Sequence, residues 1–195
     1  KMLSVGELRL LYVGRVVQEK GVHVAIEAAG ILRNHYKLDN FKLSIIGNGD
    51  PDYEEYLHGL IDKLGLKEHV VFKGALKMED ILAAYDEYDI LFVPSLWGEP
   101  FGMVTVEGMS QGLVVIASDV GGIGEAIDDG ETGFLVKPDD PSQAAGIVKR
   151  LVDDPGKYFE ISRKAAEKVE AQFIHAKHID QVERALQGLV QAVKE

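Results

Sequence analysis

The segment Glu99-Pro-Phe-Gly-Met-Val-Thr-Val-Glu107 places two carboxylates eight residues apart, with Pro100 and Gly102 close behind the first. Proline fixes φ and glycine tolerates a close approach, so Pro-x-Gly reads as a turn entering a helix. Glu99 then sits in the loop and Glu107 on the helix it opens. A helix start presents free backbone N–H groups and the positive end of the dipole, a place for phosphate. The layout suits a polyhydroxylated ligand attached to a phosphate. Spacing alone also leaves open a pair of carboxylates that hydrolyse a glycoside.

A second run, Gly14-Arg15-Val16-Val17-Gln18-Glu19-Lys20-Gly21, brackets two cations with glycines. Arginine offers a planar fork to phosphate oxygens and lysine a point charge, so the pair could neutralise a diphosphate. The octet alone fits a solvated loop equally well. Gly47-Asn48-Gly49-Asp50-Pro51 reads as ordinary loop chemistry, because Asp52 stands where a dinucleotide fingerprint needs its third glycine. Ser118-Asp119-Val120-Gly121-Gly122-Ile123-Gly124-Glu125 could form an anion-holding nest, a tight turn that lets the next helix pack, or both. Of the six histidines, only His175 and His178 are near neighbours, and no acid or thiol joins them in a metal pattern. The chain has no nucleophile elbow, no Walker loop and no H-E-x-x-H.

These residues are positioned by short apolar runs alternating with amphipathic ones. Strands are expected at Leu8–Gly14, Phe41–Gly47, Val70–Gly74, Ile90–Val93, Leu113–Ala117 and Gly133–Val136. Helices are expected at Val22–Arg33, Tyr53–Leu64, Lys77–Tyr85, Met103–Gln111, Gln143–Asp153, Lys157–Phe173 and His175–Lys194. Non-alternating apolar strands joined by helices indicate a parallel sheet covered on both faces. The expected fold is α/β, a Rossmann-like doubly wound sheet. Ligands in such sheets bind beyond the C-terminal strand ends. Residues 14–21, 47–50, 74–77, 94–102 and 118–125 therefore matter most.

The 195 residues suffice for one domain with a sizeable core, at 46% hydrophobic and 27% charged. The formal charge of -11 disfavours nucleic acid and anionic membranes as partners. With no cysteine there is neither disulfide nor thiolate chemistry, and a cytoplasmic setting fits. No signal peptide or membrane span is visible. The chain opens on Lys1 with Met2 next, which suggests an excised domain.

Three runs together are similar to a known family. They are Gly14-Arg15…Glu19-Lys20-Gly21; the E-x7-E pair Glu99/Glu107 inside Pro94-Ser95-Leu96-Trp97-Gly98-Glu99-Pro100-Phe101-Gly102; and Val120-Gly121-Gly122…Glu125…Gly130-x-x-Gly133. In order and spacing, from about Arg9 to Leu151, they resemble the family 4 retaining glycosyltransferases of GT-B fold. That fold has two Rossmann-like halves flanking the active site, and this chain resembles the C-terminal, nucleotide-sugar-binding half, with residues 155–195 as terminal helices. Gly108 and Val114 stand where the family usually has Ala and Pro, both small packing changes.

The resemblance implies roles. Arg15 and Lys20 would hold the donor diphosphate and stabilise the leaving nucleotide, in place of a metal. Glu99 would contact sugar hydroxyls, with the Phe101, Gly102 and Met103 amides nearby. Glu107 would bond the ribose, and Val104 and Thr105 would face the phosphates. Lys73, Gly74, Ala75 and Leu76 would lie near the base, and Gly14 beside the donor. The expected function is hexose transfer from a nucleoside-diphosphate sugar, UDP preferred with GDP or ADP open, to a polysaccharide, glycolipid or small glycoside. No cofactor or metal is expected. An acceptor-binding N-terminal half would be the missing partner and the only route to membrane contact, peripheral to the inner face. Alone, this chain would bind donor weakly and not turn over. The competing expectation is a catalytically silent nucleotide-sugar-binding regulatory module. An epimerase or phosphorylase of the same fold is a third, without the expected pyridoxal-lysine motif.

Overall fold

The computed structural model describes residues 1–3 and 6–173. Its elements, in order, are β1 (Leu8–Val13), α1 (Val22–Asn34), β2 (Phe41–Ile46), α2 (Pro51–Leu64), β3 (Val70–Gly74), α3 (Met78–Ala84), β4 (Ile90–Val93), α4 (Met103–Ser110), β5 (Val114–Ser118), α5 (Ile123–Ala126), β6 (Phe134–Val136), α6 (Pro141–Asp153) and α7 (Pro155–Gln172). Short 3-10 turns at Gln18–Lys20 and Tyr85–Glu87 complete them. The strands form one six-stranded sheet in the order β3-β2-β1-β4-β5-β6, and all neighbouring pairs are parallel. This is the doubly wound, Rossmann-like sheet that the strand patterning implied. The connection reverses direction between β1 and β4, where such sheets open a crevice.

Both faces of the sheet are covered, which is why its strands carry apolar residues without alternation. Leu10, Leu43, Ile45, Ile90 and Phe92 pack with Ile26 and Ala29 of α1, Leu57 of α2 and Ile147 and Leu151 of α6. On the other face Leu11, Leu91, Val93, Val115 and Ala117 pack with Val106 and Met109 of α4 and Ala165 and Val169 of α7. Each fully buried Leu, Ile or Phe contributes about 1.5–3 kcal/mol through removal from water. At the N-terminal ends of β1 and β4 the fully buried Asp89 accepts the Arg9 backbone N–H at 2.8 Å and pairs with the Arg9 guanidinium at 3.4 Å. Its carbonyl accepts the Tyr158 hydroxyl at 3.0 Å.

The main departures from expectation lie at helix starts. Helices expected from Tyr53, Gln143 and Lys157 begin two residues earlier, at Pro51, Pro141 and Pro155. In each case an aspartate caps the helix: Asp50, Asp140 and Asp154 accept the N–H of Asp52, Gln143 and Lys157. Proline is tolerated at the first helical position because its missing N–H would have had no intrahelical partner there. The helix expected at Lys77–Tyr85 gives way at Tyr85 to a 3-10 turn, and β5 lies one residue later than expected. The helix expected at His175–Lys194 lies outside the described residues.

Candidate functional site

The crevice above β1 and β4 is built from two loops held against each other. Leaving β1, the chain is fixed by the Tyr12 hydroxyl, which donates to the Arg15 carbonyl at 2.7 Å. Val16, fully buried, exchanges backbone hydrogen bonds with Asn48 and Asp50 beyond β2. The Gln18–Lys20 turn then ends at Gly21, whose φ of 67° opens α1. A Cβ at Gly21 would meet the Pro94 carbonyl oxygen at 1.9 Å, so only glycine lets the loop after β1 seat on the loop after β4. The Leu96 N–H donates to the Glu19 carbonyl at 2.8 Å and completes that seam.

Across the seam, Lys20 Nζ donates to Glu99 Oε1, and Ser95 Oγ donates to the same oxygen at 2.8 Å. Burial pushes the Glu99 carboxyl up, but the hydrogen bonds from Lys20 and Ser95 and the charges of Lys20 and Arg15 outweigh it, and the group titrates below the ordinary carboxylate value. Arg15 reaches Glu19 at 3.3 Å, with both side chains largely in water. Glu99 is held from behind as well. Its carbonyl accepts the Gly122 N–H at 2.8 Å, and a Cβ on Gly121 would lie 2.2 Å from that carbonyl oxygen. The Gly121-Gly122 turn therefore works as a tight seat for the Glu99 loop, the packing alternative of the two left open by the sequence, with the Gly122 N–H already engaged.

A cavity of about 230 Å³ opens here, and Gly14, Arg15, Lys20, Glu99, Gly102, Met103 and Val104 all line it. Ala75 and Leu76 line an adjoining space of about 300 Å³ with Asn48, which shares Gly14 and Arg15 with the first. A third, of about 200 Å³, shares Arg15, Lys20 and Glu99 and is bordered by Trp97.

Other expected site residues stand away from these cavities. Gly102 starts α4, so Met103 and Val104 turn to the crevice while Thr105 turns inward. Thr105 is fully buried instead of facing an open site, and its hydroxyl has no hydrogen-bond partner among the described residues. Phe101 packs on Phe173 at 5.6 Å between ring centres. The Lys73 ammonium lies over the Tyr88 ring, 5.5 Å from its centre, and the Gly74 carbonyl accepts the Gly47 N–H. Glu107, one turn further along α4, accepts the Tyr85 hydroxyl at 3.1 Å. Burial, the Glu107 charge and that hydrogen bond raise the Tyr85 phenol far above its usual range, so it stays a donor. Ser95 and Trp97 belong to the Pro94–Gly102 run that follows a strand, whereas no local spacing marks Tyr12 or Tyr85 as part of the site. Among the described residues no group of three or more His, Asp or Glu is placed to hold a metal ion, and no helix is long and apolar enough to cross a membrane.

Comparison with known proteins gives this arrangement a context. Residues 3–169 match the family described as "Glycosyl transferases group 1". The chain is 37% identical over 151 residues to an uncharacterized glycosyltransferase of Methanocaldococcus jannaschii, covering 77% of this chain and 37% of that protein. It is similar in structure to Anabaena HepE in complex with UDP and glucose, with a TM-score of 0.85 and 27% identity over 94% of this chain and 49% of that one. It also resembles the C-terminal domain of LpcC, a group 1 family protein from Francisella tularensis, with a TM-score of 0.80 and 27% identity over 87% of this chain and 88% of that domain. The chain thus spans well under half the length of the first curated relative it matches.

Proposed function

The chain belongs to the group 1 glycosyl transferases, and from that premise we propose that it is the donor-binding, C-terminal half of a retaining, metal-independent hexosyltransferase of family 4. The observation that carries this reading is the meeting of Arg15, Lys20 and Glu99 in one cavity at the reversal point of the sheet. Two cations beside a carboxylate suit a diphosphate esterified to a sugar. In this reading the nucleotide lies over Ala75 and Leu76, in the space that shares Gly14 and Arg15 with the main cavity.

Donor binding is then an exchange of partners. In the free protein Lys20 is engaged by Glu99, and Arg15 by Glu19. A diphosphate draws both cations to itself and releases Glu99 to accept hydroxyls of the hexose. Transfer breaks the bond between the anomeric carbon and the distal phosphate oxygen. The acceptor oxygen forms the new bond on the same face and passes its proton to the departing phosphate oxygen. Arg15 and Lys20 stabilise the charge that grows on the departing nucleoside diphosphate, a task that pre-placed cations perform without reorganisation. An N-terminal half in the parent protein completes the acceptor site and is also where any membrane contact would arise. The acceptor is a polysaccharide, a glycolipid or a small glycoside.

Calorimetric titration with UDP, GDP and ADP tests the reading. We expect UDP to bind, weakly to this chain and more tightly to the parent, and the heat to vanish in Arg15→Ala and Lys20→Ala. Unchanged UDP affinity in both variants would overturn the assignment.

A further inference from the structure

Trp97 is the most exposed large apolar side chain among the described residues, at 77%. A tryptophan carries up to about 250 Å² of surface, and leaving it in water forgoes a large gain from burial. Its exposure is not a by-product of a slack loop. One residue before it, the Leu96 N–H is hydrogen-bonded to the Glu19 carbonyl. Before that, Pro94 is seated against Gly21. Two residues after it, Glu99 is pinned by Ser95, Lys20 and the Gly122 N–H. The backbone is held on both sides, and the indole is presented at the border of the third cavity.

The walls of that cavity are Arg15, Glu19, Lys20, Glu99 and Pro100. Its four charged groups pair off as Arg15 with Glu19 and Lys20 with Glu99. Its formal charges cancel, and once a donor diphosphate has taken Arg15 and Lys20 no cation is left there to collect an anionic acceptor. What it offers is an aromatic plane, hydrogen-bonding carboxylates and donors, and a shared boundary with the donor cavity through Arg15, Lys20 and Glu99. A flat apolar face beside charged hydrogen-bonding groups of balanced sign matches a sugar ring, which has an apolar face of C–H groups and a polar rim of hydroxyls. An aliphatic acceptor would leave the carboxylates unused, and an acidic one would meet Glu19 and Glu99.

We infer that Trp97 is the stacking platform for the acceptor and that the acceptor group is a neutral saccharide. This rests on the transferase reading above. A donor whose diphosphate has taken Arg15 and Lys20 gives Glu99 to the donor hexose and leaves Glu19 free to accept acceptor hydroxyls, so donor and acceptor would bind with positive coupling. A platform fixed before binding also loses little conformational freedom when the sugar arrives.

Trp97 is the only tryptophan in the chain, so its emission reports on this cavity alone. The chain is titrated with maltotriose, cellotriose and mannotriose, with and without UDP, while UDP binding is followed by calorimetry on the same preparation. We expect a saturable change in emission with at least one trisaccharide, with half-saturation near about 1 mM. Trp97→Ala should weaken that trisaccharide about tenfold by calorimetry, Trp97→Phe should retain most of the affinity, and UDP binding should stay unchanged in both. Emission indifferent to all three sugars while UDP still binds would sink the platform and leave the donor site standing. Emission indifferent to sugars, with no UDP bound, would bring down both. Emission that responds to hexanol and to no trisaccharide would overturn the saccharide assignment, as would equal trisaccharide affinity in Trp97→Ala.

Discussion

Strands β1 and β4 pair along their length, and each end of that pair carries a salt bridge of a different character. At the N-terminal end Asp89 has no exposed surface and its carboxylate accepts the Arg9 backbone N–H and pairs with the Arg9 guanidinium, while its carbonyl takes the Tyr158 hydroxyl. At the C-terminal end Lys20 and Glu99 are 25% and 15% exposed and border three adjoining cavities through themselves or through Arg15. In the first pair the acid is enclosed, although the Arg9 side chain is 37% exposed. The second is partly open, so an incoming anion can compete for the lysine. On the donor-binding reading, one strand pair thus separates holding the fold from binding the ligand, and the difference lies in how far each acid is enclosed, Asp89 fully and Glu99 in part.

Mutation should separate the two ends. The largest expected effect on stability is Asp89→Ala, which removes the acceptor of the Arg9 backbone N–H and should cost about 2–4 kcal/mol in denaturant unfolding, with UDP affinity kept in whatever remains folded. Glu99→Ala should do the reverse. In the parent enzyme it should lower sugar transfer about 10²–10³-fold while the melting temperature moves little. Comparable stability losses in the two variants would break the distinction. Lys20→Ala should weaken UDP about 10–100-fold by calorimetry, the range of a lost charge-assisted hydrogen bond. Gly121→Ala sharpens the comparison, because it disturbs the open end through packing. Its Cβ would fall 2.2 Å from the Glu99 carbonyl oxygen, and the shift should cost about 1–3 kcal/mol, or roughly 2–4 °C in melting temperature per kcal/mol.

The smallest effect concerns pH. The folded protein holds the Glu99 carboxyl below its ordinary value of 4.5. Its contribution to stability is therefore fully present above that value and is lost as pH falls through the lower, folded one. An acid unfolding series on Glu99→Gln should show a shallower decline below that value than the unaltered protein. Parallel curves would mean that the Lys20 and Ser95 bonds do not stabilise the fold.

Much of this architecture is legible in the residues themselves. Every strand core is, because a sheet covered on both faces writes itself as uninterrupted runs such as Ile90-Leu-Phe-Val93. The crevice loops follow from the strand ends. Arg15, Lys20 and Glu99 do converge, although 79 residues separate the latter two. Helix starts are less legible, because proline reads as a breaker unless the aspartate before it is recognised as a cap. Side-chain direction was less legible still. Thr105 and Val104 are adjacent in sequence, yet a step of about 100° around α4 puts one in the core and the other on the cavity. Tyr85, which holds Glu107, comes from a turn 22 residues upstream, and no local spacing announces that contact.

The same separation between Lys20 and Glu99 has a consequence for synthesis. The cationic loop leaves the ribosome first, and β2, α2, β3 and α3 all follow before its acidic counterpart emerges. At about 5–20 residues per second, several seconds pass in which the lysine has no mate and the crevice has one bank. On the donor-binding reading, a nascent chain in that interval cannot yet capture a nucleotide. Competence to bind arrives late and abruptly, when β4 inserts beside β1 and the second bank closes. A donor bound across the crevice then clamps an early-made segment to a late-made one, so nucleotide-sugar in the surrounding solution would act as a brace on the newly finished fold.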